Sequence, residues 1–351
     1  MTSSAQNFRV NPMPILYELP GNIDFLSKPW LRMETRKGCV GGRDVEHLHH
    51  LGKFSIAKLC NSVPQDIPKY DLAEMNLICA YGLSGKHDIE IEAMLNTLDS
   101  WAARVADHTA RRIGLFHKNR AKFGSLAQFR ITAMIHVLTS EFNIHYNLDR
   151  ITDPQNWDDP EDGFIHGLLG PQRHGTCASL PVLLTAIGRR LSYPIKLVTV
   201  GNHCFCRWDS PEGQFNIEYE HGGLNSHPDE FYTHWPHEWT PQMHAYQRKQ
   251  RCWLTSLTPQ EELAYCLHLR AVQLSIARRH VEAHATQVIA CQLWPTHYNK
   301  IWVPHLVTKM LYPEENFPRD PCEETAGKTA FARLVKEKGA VVIQSSDSRA
   351  R

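Results

Sequence analysis

Three segments in the first half of the chain repeat apolar residues at helical spacing. Residues 71–81 open with a residue suited to an N-cap and continue with apolar positions three and four apart, which predicts a buried helix. Residues 88–116 carry an apolar stripe with charged residues opposite, the pattern of a long amphipathic helix. Residues 125–142 predict another helix. We expect these helices to pack against the segments that follow and to form one side of a core.

An apolar run between Leu180 and Leu191 predicts a further helix, and a cysteine lies near its start. Pro181 is tolerated only in the first turn, and Thr176 is a good N-cap, so the helix is predicted to begin near Thr176. Cys177 would then lie where unpaired backbone N–H groups and the helix dipole favour a thiolate. Cys177 is therefore a candidate nucleophile, and the simpler alternative is a small buried core residue.

Two strands are predicted after this helix. Residues 194–200 are largely β-branched, and residues 203–208 alternate so that His203 lies on the face opposite Cys204 and Cys206. Because of that opposition, the two cysteines are expected to pack in the core. A zinc site that combines them with His203 is disfavoured for the same reason.

A third strand, predicted after a polar turn, carries Asn216 and Glu218 on one face. A thiol needs a base to become a good nucleophile, and a catalytic histidine needs a partner that fixes its tautomer. Cys177, His203 and one of these two residues follow the order of a cysteine triad. Glu218 is favoured as the third member, and Asn216 stays open as the alternative or as a substrate contact.

This order resembles the transglutaminase-like cysteine enzyme superfamily, which shares its core with papain-type proteases. The SirB-type bacterial branch is the nearest resemblance, and it extends from about residue 71 to near residue 300. The matching motifs are Gly175-Thr-Cys177, His203 with Phe205 and Arg207-Trp208, and Phe215-Asn-Ile-Glu218 followed by Gly222-Gly223. One departure is that the superfamily usually has aspartate where Glu218 stands.

The resemblance implies an α+β fold with a papain/transglutaminase-like core, in which N-terminal helices pack on an antiparallel sheet. It also implies a bacterial cysteine acyl-transfer enzyme, and we expect it to hydrolyse a peptide or isopeptide bond through a Cys-His-Glu triad. Transamidation is the second choice of reaction. The alternative is a catalytically inactive core that acts as a regulatory or protein-binding module.

An acyl-transfer reaction also needs preorganised donors for the oxyanion. The backbone N–H of Cys177 is the first expected donor. Gln172 is a candidate second donor, five residues upstream of the cysteine. His174 lies close by in sequence and is a candidate substrate contact.

Composition and the residues that start and end helices divide the chain into four predicted parts. A capping box at Thr258–Glu261 starts a helix, and a second helix ends before Trp294; the pair resembles one tetratricopeptide-type helical hairpin. This hairpin is a candidate surface for a protein partner. The predicted parts are an N-terminal extension (1–70), the core (71–250), a C-terminal helical region (251–312) and a partly disordered tail (313–351).

The composition limits the partners that the protein is expected to bind. Hydrophobic residues make up 42% and charged residues 21%, and the net charge is +1, which argues against nucleic-acid or membrane binding driven by bulk charge. The chain shows no signal-peptide pattern, so a cytoplasmic protein with ten free thiols is expected. Neither the histidines at 47–50 nor the acidic residues at 149–162 have metal-site spacing, so a solvated acidic loop, no metal and no cofactor are expected.

Overall fold

The computed structural model describes residues 54–83, 89–152, 158–201, 203–220, 223–234, 238–250 and 252–312. The histidine cluster at 47–50, most of the N-terminal extension and the predicted disordered tail therefore lie outside the described residues. Gly222, which contributes to the family resemblance, lies outside them as well.

The long helices begin and end within a few residues of their predicted positions, whereas several short ones were not expected. The helices are α1 (Ile56–Cys60), α2 (Leu72–Ala80), α3 (Ile91–Lys118), α4 (Arg120–Phe123), α5 (Leu126–Ser140), α6 (Asp149–Thr152), α7 (Pro160–Gly163), α8 (Ile165–Leu169), α9 (Leu180–Arg190), α10 (Pro241–Gln250), α11 (Pro259–Ile276), α12 (His280–Leu293) and α13 (His297–Leu311). Two 3₁₀ turns cover Ile67–Lys69 and Asp229–Thr233.

Side-chain caps explain why three of these helices start where they do. The Asp71 carboxylate accepts a hydrogen bond from the N–H of Ala73 at the start of α2. Ser125 and Gln128 form a reciprocal capping box on α5, and Thr258 forms one with Glu261 on α11. Each cap satisfies backbone N–H groups that have no partner within the helix.

Within the described residues, the strands form one four-stranded antiparallel sheet and one short parallel pair. In the sheet the order is β3 (Ile195–Val200), β4 (His203–Ser210), β5 (Gly213–Glu220) and β6 (Gly223–Asn225). The parallel pair joins β1 (His145–Tyr146) to β2 (His174–Gly175). Neither of these short strands was predicted, because two-residue strands have no period to detect.

The two faces of the sheet contribute to different parts of the core. Cys204, Cys206 and Trp208 on β4 belong to the main cluster of buried residues, which also contains the side chains of the long helices. Phe205 faces the other way, into a smaller cluster with Tyr232. The alternation predicted for residues 203–208 is therefore confirmed, and it places His203 on the face of the smaller cluster.

Helix α9 lies at the centre of the packing. It contacts α2 and α3 on one side and β3 and β4 on the other. Helix α11 packs against both α2 and α12, and the Arg189 guanidinium at the end of α9 forms two hydrogen bonds with the fully buried Glu262 carboxylate on α11. The main cluster of buried residues accordingly runs from Leu59 to Leu306 and includes the C-terminal helices.

Within the described part of the chain, none of the helices combines the length and the apolar character that crossing a membrane would require.

Candidate active site

Cys177 lies in a tight turn that joins β2 to α9. The helix begins at Leu180, so the predicted start near Thr176 is wrong by about one turn. Thr176 nevertheless organises the turn, because its carbonyl accepts the N–H groups of Ser179 and Leu180, and its hydroxyl accepts the N–H of Ala178 at 3.2 Å. The Cys177 thiol is free and half-buried at the entrance to the helix.

Hydrogen bonds to the short helix α7 hold this turn in place. The hydroxyls of Thr176 and Ser179 both donate to the backbone carbonyl of Asp162, each at 2.8 Å. The Asp162 carboxylate is 1% exposed and accepts from Asn147 at 2.7 Å and from the Arg150 Nε at 2.6 Å. The expectation of a solvated acidic loop is therefore wrong for Asp162, because arginine and asparagine partners compensate its burial.

Gly175 allows the turn to pack this closely. A Cβ atom at this position would lie 2.4 Å from the Ser179 Oγ and 3.0 Å from the Leu168 side chain. The glycine is required because two other side chains occupy the space that a side chain would need, and not because the backbone adopts a positive φ.

His203 lies at the start of β4 and links Cys177 to Glu218. Its Nε2 atom donates to the Glu218 Oε1 at 2.8 Å, and the Cys177 side chain is in hydrogen-bonding contact with the same ring. The His203 side chain is 16% exposed and that of Glu218 is 9% exposed, so both are largely shielded from water. Strand pairing sets this geometry, because Glu218 follows Ile217, which pairs directly with Cys206 on β4.

Two opposing effects set the protonation of His203. Burial lowers its pKa, but the hydrogen bonds with Cys177 and Glu218 and the negative charges of those groups raise it to about 10. The ring is therefore protonated at neutral pH when its partners are ionised.

Comparison with known proteins identifies the domain that carries this arrangement. Residues 92–261 match a family model of the transglutaminase-like superfamily. The chain contains a transglutaminase-like superfamily domain. The matched residues include Cys177, His203 and Glu218, and they end just after the start of α11. No curated protein and no solved structure gives a significant match to the chain.

Tyr232, for which no sequence pattern gave a signal, contacts the Glu218 carboxylate. The Tyr232 side chain is fully buried, and its hydroxyl donates to the Glu218 Oε1 at 2.8 Å. Its ring stacks on Phe205 with centroids 4.3 Å apart. The same carboxylate oxygen thus holds both the histidine and the tyrosine, and the stacked rings limit how far Glu218 can move.

Asn216 does not reach His203 and has partners elsewhere. Its Oδ1 accepts from the Arg207 Nε at 2.7 Å, and its Nδ2 donates to the His227 carbonyl and to Asp229. The residue is 4% exposed. Its side chain is therefore used in a buried network that joins β4 and β5 to the loop after β6, which leaves Glu218 as the residue on the histidine.

The other two candidates lie on the approach to the cysteine. Gln172 is exposed in the turn before β2. His174 lies within β2, with its Nε2 4.0 Å from the Asp162 Oδ1 and its ring edge-on to that of His145. Neither placement tests the roles that we predicted for these residues.

Two tyrosines that were not predicted lie against the turn that contains Cys177, between β2 and α9. Tyr146, on β1, lies opposite Gly175, and its hydroxyl is close enough to the backbone N–H and the side chain of Cys177 for both to influence its pKa. The hydroxyl of Tyr265, on α11, donates to the Ala178 carbonyl at 3.2 Å. Both come from segments far from Cys177 in sequence, so no local pattern could have identified them.

The two thiols of β4 lie inside the core. Burial raises the pKa of Cys204 well above its usual value and raises that of Cys206 to about 12. The Cys206 thiol donates to the Pro181 carbonyl at 3.1 Å. Both thiols therefore stay protonated inside the core. Among the residues with described positions, no group of three or more histidine, cysteine or acidic side chains is arranged to hold a metal ion.

Proposed function

We propose that the protein is a cysteine acyl-transfer enzyme that uses Cys177 as the nucleophile, His203 as the base and Glu218 as the third member of the triad. The observation that carries this proposal is the continuous contact from the thiol through the imidazole to a shielded carboxylate. The transglutaminase-like domain at residues 92–261 supports it, because such a domain suggests a superfamily of cysteine enzymes.

The proposed reaction begins when the Cys177 thiolate attacks the carbonyl carbon of an amide. A C–S bond forms, and the C=O π electrons move to the oxygen, which the Cys177 backbone N–H stabilises. The His203 imidazolium then gives its proton to the amide nitrogen, the C–N bond breaks, and an amine leaves. Water attacks the thioester while His203 takes its proton, and the acid is released with the thiolate restored.

We infer that the acyl acceptor is water and that the substrate is a peptide or isopeptide within a protein. An amine in place of water would give transamidation through the same acyl-enzyme. The SirB-type branch of the superfamily remains part of this proposal, since the resemblance of individual motifs supports it. The presence of glutamate where aspartate is usual lengthens the acid by one methylene, and the Tyr232 hydroxyl stabilises this longer side chain.

The reactivity of individual thiols tests the proposal. Iodoacetamide is added at neutral pH, and peptide mass spectrometry follows the alkylation rate of each cysteine. Cys60 is the matched control, because it is also a half-buried cysteine that forms no disulfide, and it lies outside the matched domain. We expect Cys177 to react at least about tenfold faster than Cys60, and a His203→Ala variant to lose the difference, since the thiolate rather than the thiol is the nucleophile.

Two outcomes would count against the enzyme. Equal rates at Cys177 and Cys60 would mean that the thiol is not activated. A fast rate that is unchanged in the His203→Ala variant would mean that the histidine is not its base. Either result would favour an inactive transglutaminase-like core with a binding or regulatory role.

A further inference from the structure

Tyr146 is positioned by strand pairing beside the nucleophile turn. In the parallel pair β1–β2, Tyr146 lies opposite Gly175, two residues before Cys177. The N–H of the next residue, Asn147, donates to the Gly175 carbonyl at 2.8 Å and holds the two backbones together. The tyrosine ring is half-buried against the main core, so its hydroxyl has little freedom to leave the turn.

Strand pairing therefore brings the hydroxyl close to the two groups that an acyl substrate must contact, which are the backbone N–H and the sulfur of Cys177. Attack by the sulfur places the developing oxyanion close to that N–H, which is the donor nearest to the reacting carbon. An oxyanion bound there lies within reach of the Tyr146 O–H.

We propose that the Tyr146 hydroxyl is the second oxyanion donor of this site. This inference rests on the proposed acyl-transfer function. When the thiolate attacks and the C=O electrons move to the oxygen, the oxyanion takes the Cys177 N–H as one donor and the Tyr146 O–H as the other. No proton is transferred from the tyrosine, and both hydrogen bonds are released when the C=O bond reforms and the amine leaves.

The surroundings of Tyr146 suit a donor rather than an acid or a base. Burial, followed by the negative charge at Cys177, raises the pKa of the phenol above its usual value. The hydroxyl therefore keeps its proton at any pH at which the triad works. The proposal thus gives Tyr146 the role for which Gln172, exposed in the turn before β2, was the candidate from sequence.

A pair of reagents separates this role from a merely structural one. Acylation by p-nitrophenyl acetate passes through an oxyanion, whereas alkylation by iodoacetamide does not. We expect Tyr146→Phe to lower the rate of Cys177 acylation by about 100-fold, the effect of removing one oxyanion donor. The limiting alkylation rate at high pH should change by less than about fivefold, because it reports only on the thiolate and one neutral hydrogen bond.

Tyr193→Phe is the matched control. Tyr193 is also largely buried and also hydrogen-bonded, to Thr109, but it packs on Trp208 away from the turn. Both rates should remain at the wild-type value in this variant. If Tyr146→Phe does not fold, 3-fluorotyrosine at position 146 preserves the shape. Its more acidic phenol loses the O–H at lower pH, so acylation, but not alkylation, should decline at lower pH than in the wild type.

Three outcomes would overturn the assignment. If both rates rise in Tyr146→Phe, the hydroxyl covers the site instead of assisting it. If acylation is unchanged, another group is the second donor. If acylation and alkylation fall by the same factor, the tyrosine acts on the thiol and not on the oxyanion. Failure of the wild type itself to acylate at Cys177 would instead reject the proposed function, and the tyrosine's role with it.

Discussion

At the scale of single residues, the site depends on how one carboxylate distributes its hydrogen bonds. The Glu218 Oε1 accepts from His203 and from Tyr232, each at 2.8 Å. The carboxylate therefore holds the imidazole in one orientation, in which the ring also interacts with the Cys177 side chain. Two residues earlier on the same strand, Asn216 is bonded to Arg207 and Asp229 instead, and it serves the packing of the sheet.

The raised pKa of His203 predicts an unusual titration. Its imidazole signals in NMR spectra should titrate near pH 10 rather than near 6.5, because Cys177 and Glu218 stabilise the charged ring more than burial destabilises it. Since the folded pKa is the higher one, the resulting stability is fully present below about pH 6.5 and is lost as the pH rises through about 10. Cys177→Ala removes one of the two partners and should lower this pKa. A wild-type midpoint near 6.5 would disprove the coupling.

Removing the charge of Glu218 tests whether Glu218 or Asn216 is the third member of the proposed triad. Glu218→Gln keeps an acceptor for His203 but removes the negative charge, so the pKa of His203 should fall and acylation should slow by about 100-fold or more. Asn216→Ala is the comparison. It should lower the free energy of unfolding by about 1–3 kcal/mol, because Arg207 loses a buried partner, and it should leave the pH profile unchanged. The reverse pattern would make Asn216 the functional residue.

At the scale of elements, the turn that contains Cys177 is held by segments that are far apart in sequence and meet only in the folded chain. Strand β2 brings Gly175, helix α7 supplies the carbonyl that accepts two hydroxyls, and α11 contributes Tyr265. The helix dipole alone does not define the position of Cys177, since α9 begins three residues later. The turn's own hydrogen bonds and the close packing beneath it define that position.

Adding a methyl group at two glycines should have opposite effects. Gly175→Ala forces a Cβ to within 2.4 Å of the Ser179 Oγ and should lower the free energy of unfolding by about 1–3 kcal/mol. Gly114→Ala, four residues before the end of α3 with nothing within 4 Å of the added Cβ, should raise it by up to about 1 kcal/mol, because alanine is the better helix former. Urea denaturation measures both changes. An unchanged free energy of unfolding in Gly175→Ala would show that the turn can accommodate the added methyl group.

Sequence patterns predicted the elements that have a period or a cap, and they missed contacts between distant segments. The helices around residues 71–81 and 125–142 and the faces of β4 follow from spacing and from N-cap residues, and the structure agrees. Strands β1 and β2 are too short to produce a pattern. Strand pairing brings Tyr146 close to Cys177, and Tyr232 stacks on Phe205 near Glu218. A short stretch of sequence cannot show either contact, because the partners are far apart along the chain.

At the scale of the whole molecule, the matched domain shares its core with helices outside it. Leu263, Leu267 and Leu274 on α11 and Trp302 and Leu306 on α13 are at most 2% exposed and belong to the main cluster of buried residues. The matched residues end at 261, before all of these side chains. The domain boundary at 250, the tetratricopeptide-like character of the C-terminal helices and a protein partner on them stay predictions.

Truncation tests whether these helices are part of the folding unit. A chain that ends at residue 261 should lose its cooperative unfolding transition. Five buried side chains at about 2 kcal/mol each amount to about 10 kcal/mol, which is as large as the stability of an ordinary domain. A chain that ends at residue 312 keeps α11 to α13 and should unfold cooperatively, as the full chain does. Cooperative unfolding of the shorter chain, followed by circular dichroism, would show that the C-terminal helices are an accessory.

The most direct test of the account is the mass of the intact protein after brief exposure to p-nitrophenyl acetate at neutral pH. We expect one acetyl group on Cys177, formed with a burst of one p-nitrophenol per chain and lost again as water completes the reaction. The Cys177→Ala and His203→Ala variants should show no burst. A wild-type protein that acquires no acetyl group at Cys177, or a Cys177→Ala variant that shows the same burst, would contradict the account.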